Sequence, residues 1–227
     1  MQDIPGGVTN PKKVLLEKDG VRAHAIFREV NQQSPKMKLA SGQIELMFRD
    51  SYLFEPAAYQ LSLLLGLDNV PPAEVRKLGR SDGSLQMWVE NARERTVLRQ
   101  QSARPPDEAR WNQYLHVMHV WDNLVYNTDR NDGNMLIDAD WKLWMVDHTR
   151  AFRQHKNLQN PKLIIQYDRT LWEKLRTLDP DVVRQRLAPY LRPAEIDAVL
   201  ARREKLVQLL EKRIQEQGEN RVLFGMR

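Results

Sequence analysis

The spacing of apolar residues changes near the middle of the chain, and this change constrains the fold more than any other feature. Residues 13–30 give two strand-like stretches around Asp19-Gly20, a pair that favours the tight turn of a β-hairpin. The stretches VRKL and SLQMWVE predict two more strands around the turn sequence GRSDG. The first part of the chain is therefore predicted to form a small antiparallel sheet.

One helix is predicted between these strands, and helices dominate the rest of the chain. Apolar residues recur at helical spacing over residues 54–65, and Gly66 is a typical residue at a helix end. The last long helix is expected to begin near Pro193, because proline favours the first turn of a helix.

These patterns together predict an α+β fold with two lobes. The smaller lobe, residues 1–91, holds the antiparallel sheet and one helix. The larger lobe, residues 92–227, is mostly helical, and the connection lies near residues 88–92. A chain of 227 residues is long enough for two such lobes that share a cleft.

Composition and charge limit which class of protein this chain can belong to and which kind of ligand it can bind. With 41% hydrophobic and 29% charged residues, the chain is globular. It has no apolar run near the roughly 20 residues of a membrane span and no signal-peptide pattern, so we expect a cytoplasmic protein without a transmembrane segment. The chain contains no cysteine, so any metal must bind oxygen or imidazole, which favours magnesium or calcium. The net charge of +5 suits an anionic ligand.

Oxygen-bearing side chains crowd around one short predicted hairpin within residues 127–148. A predicted helix leads into the loop TDRNDGN, and two short strands follow, reversed at the sequence DAD. Because a hairpin returns its second strand to the start of the first, Asp147 is expected beside Asn134 and near Asp129. Two carboxylates and one amide oxygen then offer hard ligands for magnesium and a carboxylate that could activate an attacking hydroxyl.

These motifs resemble those of the atypical kinases that group phosphoinositide kinases with HipA-type and related bacterial kinases. The stretches DRNDGN at 129–134 and VDHTRAF at 146–152 are similar to the D-R-x-x-x-N loop and the metal-binding aspartate motif of that superfamily. Residues 54–72 resemble its αC helix with the following strand, and residues 83–92 resemble its hinge. The resemblance covers about residues 13–152 and implies a protein-kinase-like fold.

The resemblance also implies Mg-ATP as the cofactor and a role for each matching residue. Asp129 would be the catalytic aspartate, Asn134 and Asp147 the magnesium ligands, and Glu55 the αC glutamate that pairs with Arg28. The residues that would bind the nucleotide are Arg28, Gly6 and Gly7 of a phosphate-covering loop, and the backbone of Trp88, Val89 and Glu90 around adenine.

Several positions depart from the pattern of the family, among them Asn131 in place of a histidine and His148-Thr149 after the metal-binding aspartate, and two departures concern the Arg28–Glu55 pair. Arg28 stands where relatives carry a lysine that contacts the ATP phosphates, and an arginine is bulkier and forked. Pro56 belongs in a first helical turn, so Glu55 is expected at the very start of its helix. These departures place catalytic competence in question.

The sequence leaves other interpretations of the acidic segment open. Aspartates are common in turns because their side chains accept hydrogen bonds from turn amides. A calcium-binding EF-hand loop fits in part, although Gly133 falls one place early and strands are predicted where the exiting helix should be.

The function most consistent with the sequence is ATP-dependent phosphotransfer to an unidentified acceptor. The alternatives are a nucleotide-binding pseudokinase that acts as a regulator or scaffold, an enzyme that transfers AMP, and a basic module that binds nucleic acid. We do not expect nucleic acid to be a partner, because the positive charge is spread along the chain.

Overall fold

A computed structural model of the protein describes residues 2–3 as backbone, and residues 11–38, 42 and 44–226 with their side chains. The N-terminal part consists of strands β1 (Gln2–Asp3), β2 (Lys12–Lys18), β3 (Val21–Arg28), β4 (Asn31–Lys38) and β5 (Ile44–Ser51), helix α1 (Phe54–Leu64), and strands β6 (Ala73–Leu78) and β7 (Ser81–Met87). It is therefore a sheet-rich part with one helix, as predicted.

The main sheet is antiparallel and has the strand order β1-β2-β3-β7-β6. The predicted turn between β2 and β3 is present, because Asp19 and Gly20 both have positive φ, at 52° and 78°, and close a two-residue hairpin. Strand β7 pairs with β3 from Ala25↔Met87 to Arg28↔Ser84, which places the end of β3 in the interior of the sheet. Pairing with β7 thus places Arg28 inside the sheet and not at its edge.

The second hairpin, β4–β5, was not predicted, because its sequence is mostly polar; β4 is largely exposed, and the buried residues are those at the end of β5. Tertiary ion pairs hold it instead of an apolar face. Arg49 on β5 donates Nη1 to both carboxylate oxygens of Glu195, at 2.8 and 2.6 Å, and both side chains are buried. The hairpin is therefore attached to the C-terminal part of the chain.

Helices form most of the C-terminal part. Its elements are β8 (Arg93–Glu94), α2 (Arg95–Gln100), α3 (Glu108–Val125), β9 (Met135–Ile137), β10 (Leu143–Met145), β11 (Tyr167–Asp168), α4 (Arg169–Thr177), α5 (Pro180–Leu187), α6 (Pro193–Gln217), α7 (Glu219–Val222) and β12 (Leu223–Phe224). Strands β9 and β10 form the predicted hairpin, and β8 pairs with β9. Across residues 11–38 and 44–226, no helix has the length and apolarity that a membrane crossing requires.

Side-chain caps fix where several helices begin. Asp107 accepts a hydrogen bond from the backbone N–H of Arg110 at the start of α3, at 2.9 Å. Helix α6 begins at Pro193, as predicted, and Glu195 accepts the backbone N–H of Arg192 at 2.8 Å. Glu195 therefore both caps α6 and anchors the β4–β5 hairpin.

The apolar core is divided unequally between the two parts of the chain. A small cluster under the sheet contains Val14, Ala25 and Phe27. The large cluster joins the apolar face of α1, including Phe54 and Leu61, to the helices and short strands of the C-terminal part. Helix α1 is thus packed as a member of the C-terminal core, although the sequence places it between strands.

We predict that Arg49→Met lowers the free energy of unfolding by about 3 kcal/mol or more, because it leaves the buried carboxylate of Glu195 without its partner. Urea denaturation of the full chain measures this change. The control is Arg184→Met, which removes an exposed ion pair with Asp197 and should cost no more than about 0.5 kcal/mol. Equal losses in the two variants would contradict a supporting role for the Arg49–Glu195 pair.

Candidate functional site

A buried ion pair joins the sheet to α1. Arg28 at the end of β3 and Glu55, the second residue of α1, are almost completely buried, and Nη1 of Arg28 lies 3.7 Å from Oε1 of Glu55. Gln86 on β7 bridges the two, since it accepts from Arg28 Nη1 at 3.2 Å and donates Nε2 to Glu55 Oε2 at 2.9 Å. The structure therefore brings together the two residues that the resemblance pairs, with Glu55 at the start of its helix as expected.

The sequence did not indicate that His148 takes part in the same buried network. Its backbone N–H donates to Glu55 Oε1 at 3.0 Å, and its Nε2 accepts from the indole N–H of Trp121 at 2.9 Å. Because an indole nitrogen is only a donor, the proton of the neutral imidazole lies on Nδ1, which faces Glu55 Oε2 at 3.5 Å. The only signal in the sequence is the position of His148 directly after Asp147.

These contacts determine the charge of Glu55. Burial alone would raise the pKa of its carboxyl, but the Arg28 guanidinium and the hydrogen bonds from His148 outweigh burial and lower the pKa to about 2. Glu55 is therefore ionised at neutral pH and acts as a fixed negative charge behind the site.

The loop after α3 is built around the backbone of Asp129. The Oδ1 of Asn127 accepts the backbone N–H of Asp129 at 3.0 Å. The side-chain amides of Asn131 and Asn134 both donate to the carbonyl oxygen of Asp129, at 3.0 and 2.8 Å. Three asparagines thus hold the peptide groups of Asp129, and its carboxylate takes no part in the loop.

Arg130 fixes the loop against the hairpin. Its guanidinium donates to the carbonyl oxygens of Asn134 at 2.6 Å and Val146 at 2.8 Å, and it also binds the carboxylate of Asp122 at 3.0 to 3.2 Å. The backbone N–H of Val146 donates to Asn134 O at 3.3 Å. The chain before Asp147 therefore lies beside Asn134, as the hairpin geometry predicts.

Asp129 and Asp147 lie near enough at this junction for the charge of one to act on the other. Burial raises the pKa of Asp129, Arg150 opposes the shift with its guanidinium 3.5 Å from Asp129 Oδ1, and the charge of Asp147 raises the pKa further. Asp147 has a positive φ of 56°, and its Oδ1 accepts from the hydroxyl of Thr149 at 3.1 Å. Two carboxylates of like charge thus share one partly exposed region.

The donor set at this junction fits magnesium. The amide nitrogen of Asn134 is engaged with Asp129, which leaves Oδ1 as the atom that could bind a hard cation. A divalent ion there would offset the repulsion between Asp129 and Asp147. No cluster of three or more His, Cys, Asp or Glu side chains suited to a metal occurs among residues 11–38 and 44–226, and the proposed pair of one asparagine and one aspartate is not of that type.

The other residues predicted to bind the nucleotide are Gly6, Gly7 and residues 88–90, and the structure describes the last three. Gly6 and Gly7 lie outside the described residues. The backbone N–H of Trp88 donates to His24 O at 3.0 Å, and the Lys13 ammonium lies 3.9 Å from the centre of the Trp88 indole ring. The backbone groups of Val89 and Glu90 are therefore the better candidates to hydrogen-bond adenine.

Two other aspartates of the segment have structural explanations. Asp138 accepts the backbone N–H groups of Asp140 and Lys142 at 3.0 Å each, so it is a turn residue. Asp132 pairs with Arg99 at 2.6 Å and with Arg95 at 3.3 Å. Strand β9 follows the loop where an EF-hand requires a helix, so the calcium-loop alternative is wrong.

Comparison with known proteins identifies the fold. No protein-family model matches the chain, and no curated protein matches its sequence. A structure of hydra Fam20 with sugar matches 96% of this chain and 86% of that chain, at 14% identity and a TM-score of 0.68. The proinflammatory kinase CtkA of Helicobacter pylori matches over 95% and 96% of the two chains, at 11% identity and a TM-score of 0.59. The predicted α+β, protein-kinase-like fold is thus confirmed, and the narrower resemblance to phosphoinositide and HipA-type kinases stays a prediction.

We predict that the stability of the protein depends on the ionisation of Glu55. Because the folded-state pKa of about 2 lies below the ordinary value of 4.5, its stabilising effect is complete above pH 4.5 and is lost as the pH falls toward 2. Over that range the unfolding free energy of the wild type should fall more steeply than that of Glu55→Gln, by up to about 1.4 kcal/mol per pH unit.

Denaturation curves recorded at several pH values measure these slopes. The exposed Glu173, which pairs with Arg176 on its own helix, supplies the control variant Glu173→Gln, whose curve should run parallel to that of the wild type. Parallel curves for Glu55→Gln and the wild type would show that the carboxylate of Glu55 is not held ionised.

Proposed function

We propose that the protein is an ATP-dependent phosphotransferase that binds Mg-ATP between a sheet lobe, residues 1–91, and a helical lobe, residues 92–227. The observation that carries the proposal is the convergence of Asp129, Asn134 and Asp147 on the loop and hairpin, next to the buried Arg28–Glu55 pair. His148 links the two groups, because it follows Asp147 and hydrogen-bonds Glu55 through its backbone. The kinase-like fold supports this assignment.

Each residue has a task that its surroundings suit. Asp129 would orient or deprotonate the acceptor hydroxyl, and a carboxyl whose pKa is raised by burial is a better proton acceptor than an ordinary aspartate. Asn134 and Asp147 would hold magnesium, which supplies charge neutralisation for the transferring phosphoryl group. Arg28 would contact the phosphates with a guanidinium oriented by Glu55 and Gln86.

The acceptor is a protein, a lipid or a small molecule that carries a hydroxyl group. We further propose that the chain belongs with the phosphoinositide kinase-like and HipA-like kinases, and that it works in the cytoplasm. Both proposals rest on the motifs and on the composition of the sequence.

A nucleotide-binding pseudokinase is the second candidate, and the position of Arg28 favours it. This side chain is only 5% exposed, and its Nη1 is already engaged by Gln86 and Glu55. A guanidinium turned inward to this extent has little surface for ATP phosphates. In addition, Arg150 lies beside the carboxylate of Asp129.

Incubation of the full chain with Mg-ATP, followed by mass-resolved analysis of the nucleotide, separates these candidates. Formation of ADP supports phosphotransfer, formation of AMP supports AMP transfer, and binding of ATP without turnover supports the pseudokinase. Retention of ATP without any binding would reject all three.

We predict that Asp129 and Asp147 affect different steps. Asp147→Ala should abolish magnesium-dependent ATP binding, since it removes a metal ligand, whereas Asp129→Asn should keep binding within a small factor and lower turnover by about two orders of magnitude. Calorimetric titration and ADP formation measure the two effects. Asp140→Ala, an exposed residue of the hairpin turn, is the control and should change neither. Wild-type turnover in Asp129→Asn would remove Asp129 from the chemistry.

We predict that Arg28→Lys lowers turnover by about tenfold or more, and that Arg28→Met lowers it further, because lysine cannot contact phosphate and the Glu55–Gln86 pair with a planar fork. The matched control is Arg22→Lys on the same strand, where the exposed Arg22 pairs with Glu17. If wild type, Arg28→Lys and Arg28→Met turn over ATP at equal rates, Arg28 does not touch the nucleotide.

A further inference from the structure

A cavity lies behind the loop that carries Asp129. Its volume is about 250 Å³, and it is bounded by the C-terminal half of α3, by loop residues 127–132, and by the segment around Leu163. Thr128 and Arg130 contribute to its wall, but Asp129 between them does not. The carboxylate of Asp129 lies instead toward Arg150 and Asp147. The cavity is therefore separate from the side of the loop that would face the nucleotide and the acceptor.

One side chain in the cavity wall lacks a hydrogen-bond partner. Asn127 is 97% buried, since its exposed fraction is 3%, and its Nδ2 has no partner among the described residues. The orientation of this amide is fixed, because Oδ1 must face the backbone N–H of Asp129 to accept it. Asn127 lines the cavity, so this unpaired donor lies in its wall, where leaving it unsatisfied costs about 1–3 kcal/mol.

The charged side chains around the cavity compensate one another. The guanidinium of Arg130 binds the carboxylate of Asp122, and the carboxylate of Asp132 is shared by Arg99 at 2.6 Å and Arg95 at 3.3 Å. Burial lowers the pKa of His119, so its ring is uncharged near neutral pH. A wall of paired charges and amides favours an uncharged ligand over an anion or a cation.

The size of the cavity limits the ligand further. A volume of about 250 Å³ equals about eight water molecules at about 30 Å³ each and lies below the range of about 300–1,000 Å³ typical of drug-sized ligands. This volume is small for a whole nucleotide. It suits a compact molecule with hydroxyl or amide groups.

We propose that this cavity binds a small uncharged molecule that offers an oxygen acceptor to Nδ2 of Asn127, and that its binding adjusts the position of Asp129. The same side chain serves both contacts, because Nδ2 faces the ligand while Oδ1 holds the Asp129 backbone. Binding of the ligand is independent of the proposed function. Its effect on turnover rests on the proposed phosphotransferase activity.

The experiment uses the ¹⁵N-labelled full chain and follows the side-chain amide signal of Asn127 and the backbone signal of Asn131 by NMR. The probes are glycerol, glucose, acetamide and nicotinamide, with acetate and inorganic phosphate as charged comparisons. We expect at least one uncharged probe to shift both signals with a dissociation constant of about 1–10 mM, as befits a ligand of few atoms.

Two variants assign the shifts to the cavity. Asn127→Asp keeps an oxygen for the Asp129 N–H but removes the Nδ2 donor, so it should weaken binding at least about tenfold. Leu163→Trp adds bulk at a different, half-exposed residue of the wall, so it should abolish probe binding and leave Mg-ATP binding unchanged. Circular dichroism confirms that both variants are folded.

The proposal is overturned if no uncharged probe shifts these signals up to about 50 mM, which would mean that Asn127 is satisfied by water alone. It is also overturned if acetate or phosphate binds more tightly, or if Leu163→Trp binds the probes as the wild type does. Failure of ATP turnover with intact probe binding would reject the proposed function and leave the cavity site standing. Turnover that persists without probe binding would reject only the cavity site.

Discussion

The negative charge of Glu55 is the constraint on which much of the structure depends. A carboxylate with no exposure to water is tolerated only where cationic or hydrogen-bonding groups surround it. Here those groups come from three separate segments, because Arg28 and Gln86 belong to the sheet and His148 follows the β9–β10 hairpin. Strand, helix and hairpin must therefore assemble together, and the candidate metal ligand Asp147 is placed by the same event.

The distribution of the core decides which parts of the molecule are free to move relative to one another. Helix α1 shares the large core with the C-terminal helices, whereas the described strands of the sheet bury the small cluster around Phe27. The sheet meets α1 through the polar contacts of Arg28 and Gln86 with Glu55. Arg28 therefore connects the sheet to Glu55, whose helix belongs to the large core.

The sequence predicted those features that depend on local chemistry. The Asp19-Gly20 turn, the helix that begins at Pro193 and the short hairpin before Asp147 all follow from backbone preferences and spacing, and the structure contains them. The β4–β5 hairpin could not be predicted, because its stability comes from Arg49 and a glutamate 146 residues away. The contact of His148 with Glu55 escaped prediction for the same reason, since 93 residues separate the two in the chain.

Arg130 has a consequence for how the loop can vary. Its guanidinium hydrogen-bonds the carbonyl oxygens just before and just after the β9–β10 hairpin. These bonds form only when the chain between Asp129 and Asn134 has its present number of residues. Backbone carbonyls are present whatever the side chains are. An insertion or deletion between Asp129 and Asn134 would therefore break these contacts whatever side chains it introduced, so the length of the loop is constrained separately from the hydrogen bonds that Asn131 makes.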